Sequence, residues 1–349
     1  MIRKNRALMA LIVACAAGSA YSSDKIIASM PIGSVTVPTS TGATVNMPFA
    51  GLSEGVTGFG IAGDFVVQTG DFGGGSGPWS VDVEITANAP GGESLFWHPV
   101  GGEISIADYP LQDGTSGFAD VNGNGAWSFE FTADVSQSNW IYRIDDATLY
   151  LLGDAPDVIT QYTAEPDQND QWNRPFSIVG VSGLGPVAYH VFEFTVTEPG
   201  LYDLTSVLAS GGNHFTFLYK GGFDPGQPLA NLLDYGLGNG FSPFDVPQGT
   251  SNISALLLEG ETYTWVTSEW SSTSPVGTST NTIVGPGDAV ETGSCIADVN
   301  GDGALTPTDF TAWINAFNNN LPGCDQNGDG SCTPTDFTAW IANYNSGCP

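Results

Sequence analysis

The sequence predicts a mainly β chain: two antiparallel, jelly-roll-like β-sandwiches, then a small α-helical module built on a duplicated loop. Three observations carry this. The 349 residues include 46 Gly and 22 Pro, a density natural to short strands joined by turns and foreign to a helical protein. Apolar residues alternate along much of 44–290, the period of a half-buried strand. The last 55 residues abandon that alternation and place apolar residues at i, i+3, i+4 and i+7, twice, the stripe of an amphipathic helix.

The chain opens with Arg3, Lys4 and Arg6, an apolar run Ala7–Ala17 and a small-residue exit Gly18-Ser19-Ala20. This is a secretory signal over 1–20, too short to span a bilayer as a mature helix and expected to be cut near Ala20. Ile12-Val13-Ala14-Cys15 resembles a lipoprotein cleavage box, the alternative in which Cys15 would carry lipid. No later segment is long and apolar enough to cross a membrane, so the expected location is secreted or at the cell surface.

Residues 21–43 are polar and Ser/Thr-rich and read as a loosely packed leading strand. The first sandwich is expected over 44–165. Val81, Val83 and Ile85 share a face, as do Trp127, Phe129 and Phe131, and Ala147, Leu149 and Leu151. Gly-rich turns at 73–75, 90–92 and 122–125 separate these runs. Gly125-Ala-Trp127-Ser-Phe129-Glu-Phe131 resembles the Gly-x-Trp strand of the jelly-roll P domain of proprotein convertases, which favours a sandwich.

The second sandwich is expected over 170–290, with strands at Phe192/Phe194/Val196, Tyr202/Leu204, Phe215/Phe217/Tyr219, Leu256/Leu258 and Tyr263/Trp265. Phe192–Tyr202, Leu218–Pro225 and Pro228–Asn231 are similar to the bacterial pre-peptidase C-terminal-type sandwich, a resemblance that transfers no catalytic residue. Residues 271–294, rich in Ser, Thr, Gly and Pro, hold a last strand at Asn281–Val284 and then read as a flexible linker.

The duplicated loop spans Asp298–Asp309 and Asp325–Asp336, offset by 27 residues. Asp, Asn, Asp and Asp stand at positions 1, 3, 5 and 12 of both copies, with Gly at position 6 for the sharp turn. A hard divalent cation needs six to eight oxygens around one point, and this spacing supplies them. The candidate ligands are Asp298, Asn300, Asp302, the Ala304 carbonyl, Thr306 and Asp309, then Asp325, Asn327, Asp329, the Ser331 carbonyl, Thr333 and Asp336. Two Ca2+ ions are expected, one per EF-hand-type loop.

Thr306-Pro307-Thr308-Asp309 and Thr333-Pro334-Thr335-Asp336 read as helix starts, with a hydroxyl N-cap, Pro at N1 and an acid at N3. Phe310, Trp313, Ile314 and Phe317 follow the first, and Phe337, Trp340, Ile341 and Tyr344 the second. The two aromatic stripes are expected to bury against each other.

This loop-plus-exiting-helix duplication over 295–349 resembles the type I dockerin module, in the Cys-flanked, Gly-Cys-ending variety of planctomycete-type secreted proteins. The paired Asp-Phe-Thr-Ala-Trp-Ile segments at 309–314 and 336–341 and the terminal Gly347-Cys348 carry the resemblance. It implies the acidic and Asn ligands already named and a docking surface for a protein partner, cohesin-like or envelope-anchored. One departure stands out. Cellulosomal dockerins show a Ser-Thr-like pair before the last ligand, whereas this chain has Pro307-Thr308 and Pro334-Thr335, which puts a standard cohesin partner in doubt.

After the signal, the cysteines are Cys295, Cys324, Cys332 and Cys348. In an exported chain an even number argues for disulfides. Three pairings exist; the favoured one joins Cys295 to Cys348 as a clasp and Cys324 to Cys332 as a brace across the second loop. No paired Cys-x-x-Cys knuckle suggests zinc.

The formal net charge is −30, with 37 acids against 7 Lys and Arg. Beyond the signal the basic residues are Lys25, Arg143, Arg174 and Lys220. Such a surface repels nucleic acid and anionic lipid, and both are excluded as partners.

No catalytic motif emerges. His98, His190 and His214 are scattered and read as a loop, a strand-start and a turn residue, in surface or capping roles. Glu130, Asp145, Asp146, Glu193 and Glu269 could be nominated as a glycosidase pair, but among 37 acids some always lie close; they read as solvent-facing strand positions. Trp79, Trp97, Trp140 and Trp172 are candidates for stacking on sugars. Asp120-Val-Asn122-Gly-Asn124-Gly125 copies the start of the calcium loop but carries Phe131 at position 12 and reads as a hairpin turn. The favoured reading is a secreted, non-catalytic, calcium-binding protein that docks through its C-terminus. The alternatives are a tethered glycoside hydrolase component and a carbohydrate-binding protein.

Overall fold

The structure, a computed structural model, describes residues 22–68, 82–99, 108–134, 140–238, 247–274, 277–292, 297–300, 305–319, 321–327 and 331–346. The segment 1–20 read as a signal, with Cys15, the Gly run at 73–75, Trp79 and Val81 lie outside the described residues. Two compact units emerge, one ending at Val290 and one beginning at Glu291.

The first half of the larger unit contains β1 (Ser22–Pro38), β2 (Ala43–Phe49), β3 (Gly55–Gln68), β4 (Val83–Asn88), β5 (Ser94–Trp97), β6 (Tyr109–Asn122), β7 (Gly125–Ala133) and β8 (Ile141–Pro156). They form two antiparallel layers, β6-β3-β8-β1 and β2-β7-β4-β5. Period-two alternation explains the layers: Trp127, Phe129 and Phe131 of β7 are fully buried, while Glu130 between them is exposed. Edge-to-face aromatic pairs join the layers, with Phe59 against Trp97 at 5.5 Å and Phe118 against Trp127 at 5.5 Å. The calcium-loop look-alike is the tight turn between β6 and β7. Its Asn122 side chain accepts the Asn124 amide at 3.0 Å, and Asn124 grips the backbone of Leu52 through both ends of its side chain, at 2.9 Å each.

The second half holds β9 (Val158–Ala164), β10 (Asp167–Trp172), the small hairpin β11 (Pro175–Ser177) and β12 (Gly180–Val181), β13 (Val187–Val196), β14 (Gly200–Leu208), β15 (His214–Lys220), β16 (Leu232–Leu237), β17 (Thr250–Leu257), β18 (Tyr263–Glu269), β19 (Ser279–Gly285) and β20 (Ala289–Glu291). The layer β10-β13-β18-β15-β16 faces strands β17, β14, β19 and β9, and Tyr162 of β9 stacks on Phe192 of β13 at 4.0 Å.

The arrangement differs from the sequence reading in three ways. The leading segment 21–43 contributes β1, which pairs with β8 along nearly its whole length; Val35 and Val37 are buried there. The last strand expected at Asn281–Val284 is β19, held between β14 and β9, but the stretch after it, read as a flexible linker, carries β20, which pairs with β13. The two halves are also not separate bodies. β1 meets β14 at Lys25 and Gly200, so both halves contribute to one eight-stranded sheet. Buried Gln112 of β6 reaches across the seam, donating to the Leu256 carbonyl at 2.8 Å and meeting the Tyr263 hydroxyl at 2.5 Å.

Candidate metal-binding module

Helices α1 (Pro307–Asn319) and α2 (Pro334–Ser346) each start at the proline, as the N-cap pattern requires. In both copies the last loop acid is also the third helical residue. The Thr306 amide donates to Asp309 Oδ2 at 2.8 Å, and the Thr333 amide to Asp336 Oδ2 at 2.7 Å. That is the reciprocal half of a capping box, which satisfies an amide at the helix start that has no intrahelical partner. The other carboxylate oxygen draws in the first part of the loop. Asp309 Oδ1 accepts from Asn300 N at 3.3 Å, and Asp336 Oδ1 from Gln326 N at 3.0 Å and Asn327 N at 3.3 Å.

Asp309 and Asp336 are fully buried. Burial alone would push Asp309 up, but amides of Thr306 and Asn300 and the Asp298 side chain hold its carboxyl below the ordinary carboxylate value. Asp336 is held low chiefly by the Thr333 amide, with Gln326 and Asn327 adding to it. Both carboxyls are therefore charged at neutral pH, the form a hard cation needs. The Asn side chains follow the same symmetry: Asn300 Nδ2 donates to Thr308 Oγ1 at 3.0 Å and Asn327 Nδ2 to Thr335 Oγ1 at 3.4 Å. The oxygen-only donor set and these ionised anchors fit calcium.

The structure thus brings together Asp298, Asn300, Thr306 and Asp309 in one loop, and Asn327, Thr333 and Asp336 in the other; Asp325 and Ser331 are described at its start and at its seventh position. Asp302, Ala304 and Asp329 lie outside the described residues. Among the described residues no three His, Cys, Asp or Glu side chains gather around one point. Cys324 and Cys332 form a disulfide with Cα atoms 5.5 Å apart; Cys295 and Cys348 are outside the described residues.

The aromatic stripes interlock. Phe310 lies 5.7 Å from Phe337 and 5.1 Å from Trp340, and Trp313 lies 5.3 Å from Phe337. Ile314, Ile341 and Phe337 remain 39%, 40% and 39% exposed, so Ile314 and Ile341, predicted within the stripe, face solvent instead. A narrower packed seam suffices because Ala297 packs with the two tryptophans, and Val299, Leu305, Phe310, Phe317 and Tyr344 close around them. The sequence reading missed two polar features. Each Trp indole donates to a backbone carbonyl of the opposite copy, Trp313 to Cys324 at 3.2 Å and Trp340 to Ala297 at 3.1 Å. Asn343 also donates to the Gln326 carbonyl at 3.0 Å. Only the equal 27-residue spacing of the Trp pair and the Ala297/Cys324 pair hinted at the first.

In the larger unit, several sequence expectations need correction. His214 opens β15 rather than sitting in a turn; it is 2% exposed and bonds Ser206 Oγ at 3.0 Å. Burial pushes its imidazole down to about 4. His190 lies within β13, half-buried against Tyr162. His98 follows β5, its Nδ1 3.0 Å from the Val83 carbonyl. Glu269 is buried, not solvent-facing, with Gln168 and the Ala188 amide at its carboxylate. Asp145 pairs with Arg143 and Glu130 with Asn88. Trp97 and Trp172 are buried core residues, because each turns inward on its strand: Phe96 faces out beside Trp97, and Gln171 beside Trp172. They offer no platform to a sugar.

Residues 292–344 match the dockerin type I domain family. The C-terminal unit is thus similar to type I dockerins over nearly its whole length. No curated protein matches the chain. Among solved structures, it is similar to the N-terminal CBM22-1-CBM22-2 tandem domain of Paenibacillus barcinonensis Xyn10C, at 11% identity over 77% of this chain and 100% of that one, TM-score 0.23. It is also similar to isomalto-dextranase of Arthrobacter globiformis T6 complexed with panose, at 13% identity over 72% of this chain and 34% of that one, TM-score 0.20. A third is dimeric latent PorU of Porphyromonas gingivalis, at 12% identity over 94% of this chain and 29% of that one, TM-score 0.23. At these scores the three carry no argument about function.

Proposed function

We propose that this is an exported, non-catalytic protein whose C-terminal dockerin module binds two calcium ions and docks onto a protein partner, cohesin-type or envelope-anchored, displaying the β unit outside the cell. One observation carries the reading: Asp309 and Asp336 each close a loop and start a helix in the same contact. Metal binding and helix order are thereby coupled. In each loop Asp298, Asp302 and Asp309, or Asp325, Asp329 and Asp336, would hold the ion together with Asn300 or Asn327. Their mutual repulsion is relieved by a divalent charge, so the free energy of binding becomes free energy of folding for the module. Among the described residues no helix is long and apolar enough to cross a membrane.

Equilibrium dialysis of the full chain tests the metal: two calcium ions per chain are expected. Capture of the full chain by an immobilised type I cohesin, with calcium and with EDTA, tests the partner. Retention in calcium and release by EDTA support a cohesin-type partner, while calcium loading without retention points to a different anchored protein. Failure to retain calcium would end the docking proposal.

A further inference from the structure

We infer that the two loops are not equivalent: the Cys324–Cys332 bridge makes the second a preformed, tighter calcium site and leaves the first as the one whose order follows calcium supply. This rests on the calcium reading of the module and adds a division of labour within it.

The symmetric ties are shared. Both copies have the amide-to-carboxylate closure, the Thr–Thr hydroxyl contact at 2.6 Å and the Trp-to-carbonyl bond. Among the described residues, two further ties belong to the second loop. Cys324 precedes its first ligand and Cys332 is its eighth residue, so the disulfide closes the loop covalently across its ligands. The corresponding residues of the first copy are Ala297 and Leu305, whose side chains offer apolar packing and no cross-link.

A second difference is independent of the first. Gln326, 4% exposed, donates to the Gly323 carbonyl at 3.0 Å and receives Asn343 from α2 on its own carbonyl. Val299 and Ala316 occupy the corresponding places, neither able to make those bonds through its side chain. The second loop is thus braced by a covalent link across itself and tied to its own exiting helix by a polar one, and the side chains at the corresponding places of the first copy can form neither.

A metal-free loop loses conformational freedom when its ligands converge. A cross-link removes much of that freedom before the ion arrives, so less is lost on binding. For a loop of this length the gain is roughly tenfold or more in affinity. The order reaches the other copy, because the Cys324 carbonyl is the one that receives Trp313 of α1. Falling calcium should therefore empty the first loop first, opening the start of α1 while α2 keeps its cap.

Calorimetric titration of the oxidised full chain with calcium tests this, with thermal unfolding of the β unit as a control for folding. Two binding steps differing about tenfold or more are expected. Asp309→Asn should remove the weaker step and Asp336→Asn the tighter. The double change Cys324→Ser with Cys332→Ser should weaken the tighter step toward the other. Two equal steps in the parent chain, or the opposite assignment by the Asp variants, would overturn the inference while leaving calcium binding intact. Should the double Ser variant not fold, the Asp variants still decide the assignment. No calcium bound to the parent chain overturns the inference together with the reading beneath it.

Discussion

Trp313 and Trp340 exchange hydrogen bonds across the duplication: each indole N–H reaches the carbonyl just before the other copy's first ligand, at 3.2 Å on Cys324 and 3.1 Å on Ala297. The helix leaving one loop thus steadies the start of the other. Trp313→Phe keeps the ring stack but removes the donor, leaving a buried carbonyl short of a partner at a cost of about 1–3 kcal/mol. The expected outcome is crossed. Trp313→Phe weakens calcium at the second loop and Trp340→Phe at the first, as calorimetry on chains carrying a single functional loop would resolve. An effect confined to each helix's own loop would count against the exchange.

Chelation should act on one unit only. With EDTA the helical circular dichroism at 222 nm is expected to fall as α1 and α2 lose their anchored starts, and calcium should restore it. The thermal transition of the β unit should stay within about a degree or two, since the candidate metal ligands all lie in 298–336. An unchanged helical signal would show that helix order does not depend on the ion.

His214 gives the β unit a pH dependence of known sign. Unfolded, its imidazole takes a proton near 6.5; folded, burial delays this to about 4, with the contact to Ser206 offsetting part of the shift. Between those values the unfolded state holds the extra proton. Stability is therefore fully present above 6.5 and falls as pH drops toward 4, by up to about 3 kcal/mol. Glu269 lies opposite in register, but its carboxylate is taken by Gln168 and the Ala188 amide. Urea midpoints at pH 7, 5.5 and 4.5 should decline in the parent chain and decline less in His214→Asn.

Gln112 joins the two halves of the β unit, so removing its amide should uncouple them. Gln112→Leu loses the bonds to Leu256 and Tyr263, at a cost of about 1–3 kcal/mol for the buried groups left behind. Differential scanning calorimetry should show a lower and broader transition, or two transitions where the parent shows one. A sharp transition at the parent temperature would mean that the β1–β14 contact and the core shared by the two halves hold the seam without it.

The C-terminal module was legible because its determinants are local. Ligand spacing, the Thr-Pro-x-Asp helix starts and the apolar stripe all lie within one copy of the repeat. The β unit was readable strand by strand, but not in its pairing. Nothing near residues 22–38 shows that their partner is β8, more than 100 residues on. Strands β15 and β18 were legible as strands, but the burial of both their faces was not. Phe215, Phe217 and Val266 pack into one core while Leu218, Tyr263 and Trp265 pack into the other, so both faces are covered and alternation disappears. That is why His214 and Glu269, at the ends of these strands, were read as surface residues.

The crossed indole bonds bear on how such a module could arise. A lone copy would hold a tryptophan with no carbonyl to meet and a carbonyl with no tryptophan, which two identical peptides could cure by pairing about a twofold axis. A synthetic peptide of one copy should accordingly self-associate in calcium rather than fold alone.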